Sequence, residues 1–239
     1  MKVKGFIGLF ISVIILAICN IANATTVDEY GNIISNDGNW RYTMVQGKDN
    51  EIRLEKCEDR TSTEITIPET IDGYTVTQMD GFIGVITGDD TPPAYKVINI
   101  PKTINEISYE AFRYCTNLEK INVASDNNTF YTEDGVLFSS TKKQLVAFPA
   151  NKQVPLGKYS IPIGITSIYN NAFAEAKLDT VVIPTTVSRI NNGAFYESEI
   201  SYINIPSTVE YLGSSAFAKA TNLERVVLPS NLKTLSIAL

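Results

Sequence analysis

Residues 178–195 read Leu178-Asp179-Thr180-Val181-Val182-Ile183-Pro184-Thr185-Thr186-Val187-Ser188-Arg189-Ile190-Asn191-Asn192-Gly193-Ala194-Phe195. The decisive feature is an apolar-Pro pair followed, ten residues after the proline, by Ala-Phe. It recurs at Pro101/Ala111-Phe112, Pro162/Ala172-Phe173, Pro184/Ala194-Phe195 and Pro206/Ala216-Phe217, and the last three prolines stand 22 residues apart. A period of 22–23 residues marks a stacked solenoid. Apolar residues lie three and one before the prolines, at Ile98/Ile100, Val181/Ile183, Ile203/Ile205 and Val226/Leu228. Another lies six before, at Tyr95, Leu178, Ile200 and Leu223. Alternation with β-branched residues predicts a short strand buried on one face, which the proline ends because it has no N–H for a ladder. After the proline, apolar residues recur at intervals of three (Ile104/Ile107, Ile165/Ile168, Val187/Ile190, Val209/Leu212, Leu232/Leu235). That spacing and the Ala-Phe predict an extended or single-turn return filled by phenylalanine. One unit is too small to bury its own apolar residues; stacked units share a continuous core. The fold class is therefore an α/β or mainly-β solenoid of short parallel strands.

The frame Leu-x-x-Ile-x-Ile-Pro-x-x-Ile-x-x-Ile, closed by Ala-Phe, resembles leucine-rich repeats of the treponemal or BspA-like type. Asn117-Leu118-Glu119-Lys120-Ile121 and Asn222-Leu223-Glu224-Arg225-Val226 fit its opening, and Ala111-Phe112-Arg113-Tyr114-Cys115 fits its close, cysteine included. The resemblance covers roughly residues 64–239 and implies a cell-surface or secreted protein that binds or adheres to proteins of a host or a neighbouring cell.

Two places depart from the frame. The first unit carries Asp72-Gly73-Tyr74 after Ile71, has Gly81-Phe82-Ile83-Gly84 where Ala-Phe is due, and adds a loop at 88–93. A second insertion occupies about 124–160. There Asp134-Gly135, flanked by Thr129-Phe130-Tyr131 and Val136-Leu137-Phe138, signals a hairpin. Leu145-Val146-Ala147-Phe148-Pro149 and Tyr159-Ser160-Ile161-Pro162 each look like a strand end, and the block is expected to add strands without a full Ala-Phe return.

The remaining organisation reads as follows. Residues 1–24 combine a basic start (Lys2, Lys4), an apolar run at 6–18 and a small-x-small site at Ala22-Asn23-Ala24, which predicts a secretory signal peptide cleaved after Ala24. The alternative is lipidation at Cys19, against which Ile18 stands where a small residue belongs. No later stretch is apolar enough to span a membrane. Residues 25–60 predict a small N-terminal β cap of two or three strands around Trp40, and 61–239 the leucine-rich repeat solenoid. Leu232 and Leu235 open a last repeat without its Ala-Phe. An incomplete repeat presents a free edge, so the rival reading is a structural module that docks or self-associates through its C-terminal edge, with no ligand of its own.

Composition excludes several functions. Removing residues 1–24 removes two lysines and no acid, shifting the net charge from −6 to −8. That disfavours nucleic acid and anionic membranes as partners. The chain has no histidine, so histidine-based nucleophilic, acid/base and zinc chemistry is unavailable. Glu58-Asp59, Asp89-Asp90 and Glu133-Asp134 are adjacent carboxylates on expected loops. Their spacing suits neither a glycosidase pair nor a known calcium loop, and calcium at Asp89-Asp90 is the weak alternative. No catalytic residue, metal ligand or cofactor site is assigned. Asn127-Asn128-Thr129 is a glycosylation sequon. Cys57 and Cys115 read as buried free thiols, with a Cys57–Cys115 disulfide as the alternative.

Candidate partner-binding residues are those that alternation turns away from the core on what the resemblance makes the concave face. They are Val97 and Asn99, Lys120 and Asn122, Thr180 and Val182, Tyr202 and Asn204, and Arg225 and Val227. Six such strands, about 4.8 Å apart with an exposed width of about 10 Å, give a sheet of roughly 300 Å². That is below the roughly 800 Å² per partner of a standard interface, so useful adhesion requires multivalency.

Overall fold

A computed structural model of the protein describes residues 26–81, 91–141 and 143–235. The signal segment 1–24, the Asp89-Asp90 pair and residues 236–239 lie outside the described residues.

The repeats form two parallel sheets joined by turns. Four strands, Lys158–Ser160, Thr180–Val182, Tyr202–Asn204 and Arg225–Val227, pair in register, so that Tyr159, Val181, Ile203 and Val226 form one inward row. After each strand the chain turns sharply: the amide three residues after the proline donates to the proline carbonyl at Pro162, Pro184 and Pro206. Two-residue strands follow at Ser167–Ile168, Arg189–Ile190, Tyr211–Leu212 and Thr234–Leu235, building a second parallel sheet. Ile168 and Ile190 are fully buried in it. The predicted extended return is thus itself a strand. The fold is mainly β, and its single helical element among the described residues is the 3-10 turn Pro155–Gly157.

The Ala-Phe segments run as turns. Phe173 N–H donates to Ala194 O at 2.7 Å and Phe195 N–H to Ala216 O at 2.8 Å, so these turns also stack in register. Their rings form a column. Phe148–Phe173, Phe173–Phe195 and Phe195–Phe217 centroids lie 5.2, 5.0 and 5.4 Å apart, with ring planes inclined by 26°, 11° and 14°. Burying a phenylalanine contributes about 1.5–3 kcal/mol and offset stacking about 0.5–1.5 more.

Phe148 corrects the expectation for the insertion. Its N–H donates to Ala172 O, as Phe173 N–H does to Ala194 O, so Ala147-Phe148 supplies an Ala-Phe return inside the inserted block. The hairpin itself forms where Asp134-Gly135 placed it. Phe130–Glu133 pairs antiparallel with Val136–Ser139, and both turn residues have positive φ, as a type I′ turn requires. Val136–Ser139 then pairs with Gln144–Ala147, which joins the second parallel sheet at Ser167–Ile168.

Val136–Ser139 and Gln144–Ala147 are buried on both faces. Leu137 and Val146 pack with the amino-terminal core, beside Ile98, Ile107 and Ile121, whereas Val136, Phe138 and Leu145 pack with the carboxy-terminal core, beside Ile168 and Phe173. The insertion is a wall with one core on each side.

On the amino-terminal side, Ile33–Ile34, Trp40–Met44 and Glu51–Cys57 form an antiparallel meander, with Trp40 and Tyr42 buried. Its last strand pairs in parallel with Tyr74–Met79, which pairs in parallel with Glu106–Ile107. The meander therefore continues directly into the first repeat units. Glu64–Thr66, Val97–Ile100 and Lys120–Val123 make a separate three-stranded parallel sheet.

Candidate functional site

The outward residues of the repeat strands are held by register. In the three-stranded sheet, Glu64, Val97 and Lys120 form one row and Thr66, Asn99 and Asn122 the next. The second row is a polar ladder: Asn122 Nδ2 donates to Asn99 Oδ1 at 2.8 Å, and Asn99 Nδ2 to Glu64 Oε1 at 2.8 Å and Thr66 Oγ1 at 3.1 Å. In the four-stranded sheet the rows are Lys158, Thr180, Tyr202, Arg225 and Ser160, Val182, Asn204, Val227. Here Val182 and Tyr202 are 39% and 37% exposed, and the Arg225 guanidinium lies 5.9 Å from the Tyr202 ring.

The ten candidate residues therefore fall into two groups rather than one continuous face. Val97, Asn99, Lys120 and Asn122 lie on the first sheet; Thr180, Val182, Tyr202, Asn204, Arg225 and Val227 lie on the second. The hairpin turn separates them. Ile121 N–H donates to Gly135 O where the next strand of the same row would pair. Gly135 lies so close to Lys120 that a Cβ would meet its Cγ at 2.7 Å. Lys158, Ser160 and Glu64 join the rows although the periodic frame, broken in both places, did not supply them.

The other groups singled out in the sequence have structural work. Glu58 pairs with Arg41 at 3.0 Å and Lys56 at 3.2 Å. Asp59 caps a turn through Ser62 and Thr61, which hold its carboxyl down at about 2. Asp134 pairs with Lys152 at 2.9 Å. Cys57 and Cys115 are free and buried, and burial pushes both thiols above their usual range, leaving little reactive thiolate. The Asn127 amide is fully engaged: Nδ2 donates to Pro101 O and Ile104 O, and Oδ1 accepts from the Thr129 and Phe130 amides. A glycan on Asn127 would dismantle that turn. No group of three or more metal-ligating side chains converges among the described residues.

A surface raised on stacked 22–23-residue units is the arrangement of a repeat scaffold. The family model for the BspA type leucine rich repeat region matches in six copies over residues 94–155 and 147–238. The chain belongs to this family. The chain is also similar to solved structures. A leucine-rich repeat protein from Eubacterium ventriosum is 20% identical, with 81% of this chain and 70% of that one aligned at a TM-score of 0.55. The pneumococcal vaccine antigen PcpA is 15% identical, with 90% and 77% aligned at 0.54. A leucine rich cell surface protein from Faecalibacterium prausnitzii is 18% identical, with 87% and 55% aligned at 0.43. At these identities the likeness to the first two is one of fold alone. No curated protein matches the chain in sequence.

Proposed function

We propose that this BspA-type leucine-rich repeat chain is exported and binds protein partners at the cell surface through the face of its four-stranded sheet. The observation that carries the reading is the exposed set Tyr202, Val182 and Arg225, held in parallel rows over an inner row in which Val181 and Ile203 are buried. Tyrosine and arginine are enriched among the few residues that carry most of an interface's binding energy. The three-stranded face instead spends its amides on one another and is the poorer anchor.

The four-stranded face measures roughly 200 Å², so one copy binds weakly and adhesion comes from many copies on one surface. The test is attachment of beads carrying many copies of the protein to immobilised surface proteins of neighbouring cells, before and after protease treatment of the target. Tyr202→Ala with Arg225→Glu abolishes attachment at unchanged melting temperature, protease abolishes it, and Lys120→Glu leaves most of it. Attachment that survives the double substitution refutes this face as the site. Export is tested separately: the amino terminus of protein recovered outside the cell is Thr25.

A further inference from the structure

A second surface lies on another side of the solenoid, at the corner where each two-residue strand of the second sheet turns into its Ala-Phe segment. An open groove of about 390 Å³ runs there, lined by Tyr109, Arg113, Asn170, Asn192, Tyr196 and Ser214 among others. Asn170, Asn192 and Ser214 each stand three residues before the phenylalanine of their unit, so three successive units repeat this position along the axis, and Tyr109 stands at the same interval before Phe112.

The asparagines are fixed in orientation. Asn170 Oδ1 accepts the Asn192 amide at 3.1 Å, and Asn192 Oδ1 accepts the Ser214 amide at 2.9 Å. Gly213 makes room for the second amide, since a Cβ there would come within 2.5 Å of Asn192 Oδ1. With each oxygen committed to a backbone N–H, the Nδ2 donors are left for the groove. An aspartate would accept the same backbone bonds. In a chain with 26 acidic residues, the amide at both places is explained by its donors, not by its acceptor.

The rest of the groove is aromatic and nearly charge-balanced. Tyr109 is 48% exposed at one end. The Arg113 guanidinium lies 5.3 Å from the Tyr196 ring and is paired with Glu110 at 3.1 Å. Fixed amide donors, hydroxyls and the exposed Tyr109 ring match a ligand with many hydroxyl oxygens, apolar ring faces and no charge. Donors recur about every 4.8 Å along parallel strands, close to the length of one sugar ring. We propose that this groove binds a linear, uncharged oligosaccharide lying along the solenoid axis.

The test is calorimetric titration of the intact protein with cellohexaose, mannohexaose and chitohexaose, with heparin as the charged control. At least one neutral hexasaccharide binds. The double substitution Asn170→Asp/Asn192→Asp, which keeps the acceptors and deletes the donors, weakens that binding about tenfold at unchanged melting temperature. Tyr109→Ala weakens it similarly, and Tyr109→Phe retains it; these exposed-site variants decide the matter if the aspartates unfold the corner. Failure of all three neutral chains to bind, binding by heparin alone, or binding indifferent to both sets of substitutions overturns the proposal.

Discussion

The regular repeats after residue 156 and the inserted block at 124–155 build the same solenoid by opposite means. In the regular repeats each strand is two-faced: Val181 and Ile203 point inward, Val182 and Tyr202 outward. In the insertion Val136–Ser139 and Gln144–Ala147 are buried throughout, one face serving each core. A repeat strand gives the protein half a core and half a surface. Val136–Ser139 and Gln144–Ala147 give two halves of a core and no surface, and the hairpin turn that leads into them interrupts the proposed binding face.

The largest effect that tests this contrast is expected in the aromatic column. Phe195→Ala removes a fully buried ring stacked on both sides and costs about 3–5 kcal/mol in urea unfolding. Phe112→Ala, at a half-buried ring outside the column, costs about 1–2 kcal/mol. Equal losses would mean that the column is not the organising core.

Next come the two sides of the wall. Leu137→Ala and Phe138→Ala each cost about 2–5 kcal/mol. Trp40, the single tryptophan, reports the amino-terminal core. Leu137→Ala is expected to move the tryptophan-fluorescence transition ahead of the far-ultraviolet circular dichroism transition, and Phe138→Ala to do the reverse, while the wild-type transitions coincide. The hairpin turn gives a smaller effect. Gly135→Ala forces a side chain into a left-handed backbone against Lys120 and lowers stability by about 1–2 kcal/mol.

The smallest effect is a pH dependence within the regular half. Burial raises the Glu175 carboxyl above its usual range, aided by Glu197 and opposed by Arg113, and its Oε1 has no hydrogen-bond partner. An acid whose folded-state value is raised stabilises the fold below its ordinary value of about 4.3. That contribution is lost as pH rises through the folded-state value. Glu175→Gln therefore raises the melting temperature at neutral pH and leaves it nearly unchanged at pH about 4. An equal shift at both values would assign the effect to packing, not charge.

Much of this was legible in the sequence. The Ile-Pro to Ala-Phe interval located the strands, their inward rows and the phenylalanines of three units, because a solenoid turns its period directly into contacts. Asp134-Gly135 located the hairpin, because few residues tolerate two consecutive positive φ values. The second parallel sheet escaped because two-residue strands are too short to show alternation. Ala147-Phe148 escaped because it directly precedes a proline instead of following one by ten residues. The wall left a usable signal. Val136-Leu137-Phe138 and Leu145-Val146-Ala147-Phe148 are unbroken apolar runs, the mark of strands covered on both faces. The division of the candidate residues into two groups comes from the hairpin turn at Gly135, and no spacing within a single repeat encodes it. The Asn170–Asn192 corner left only its recurrence at the repeat interval, which polar surface positions often share without a role.

The central claim is that the inserted strands join two cores through one shared wall. Hydrogen exchange read by mass spectrometry across a urea series tests it directly. Val136–Ser139 and Gln144–Ala147 are expected among the last segments to exchange, with neither flanking core opening fully while they remain protected. Early exchange of those strands, with Ile98 and Ile203 still protected on either side, would contradict it.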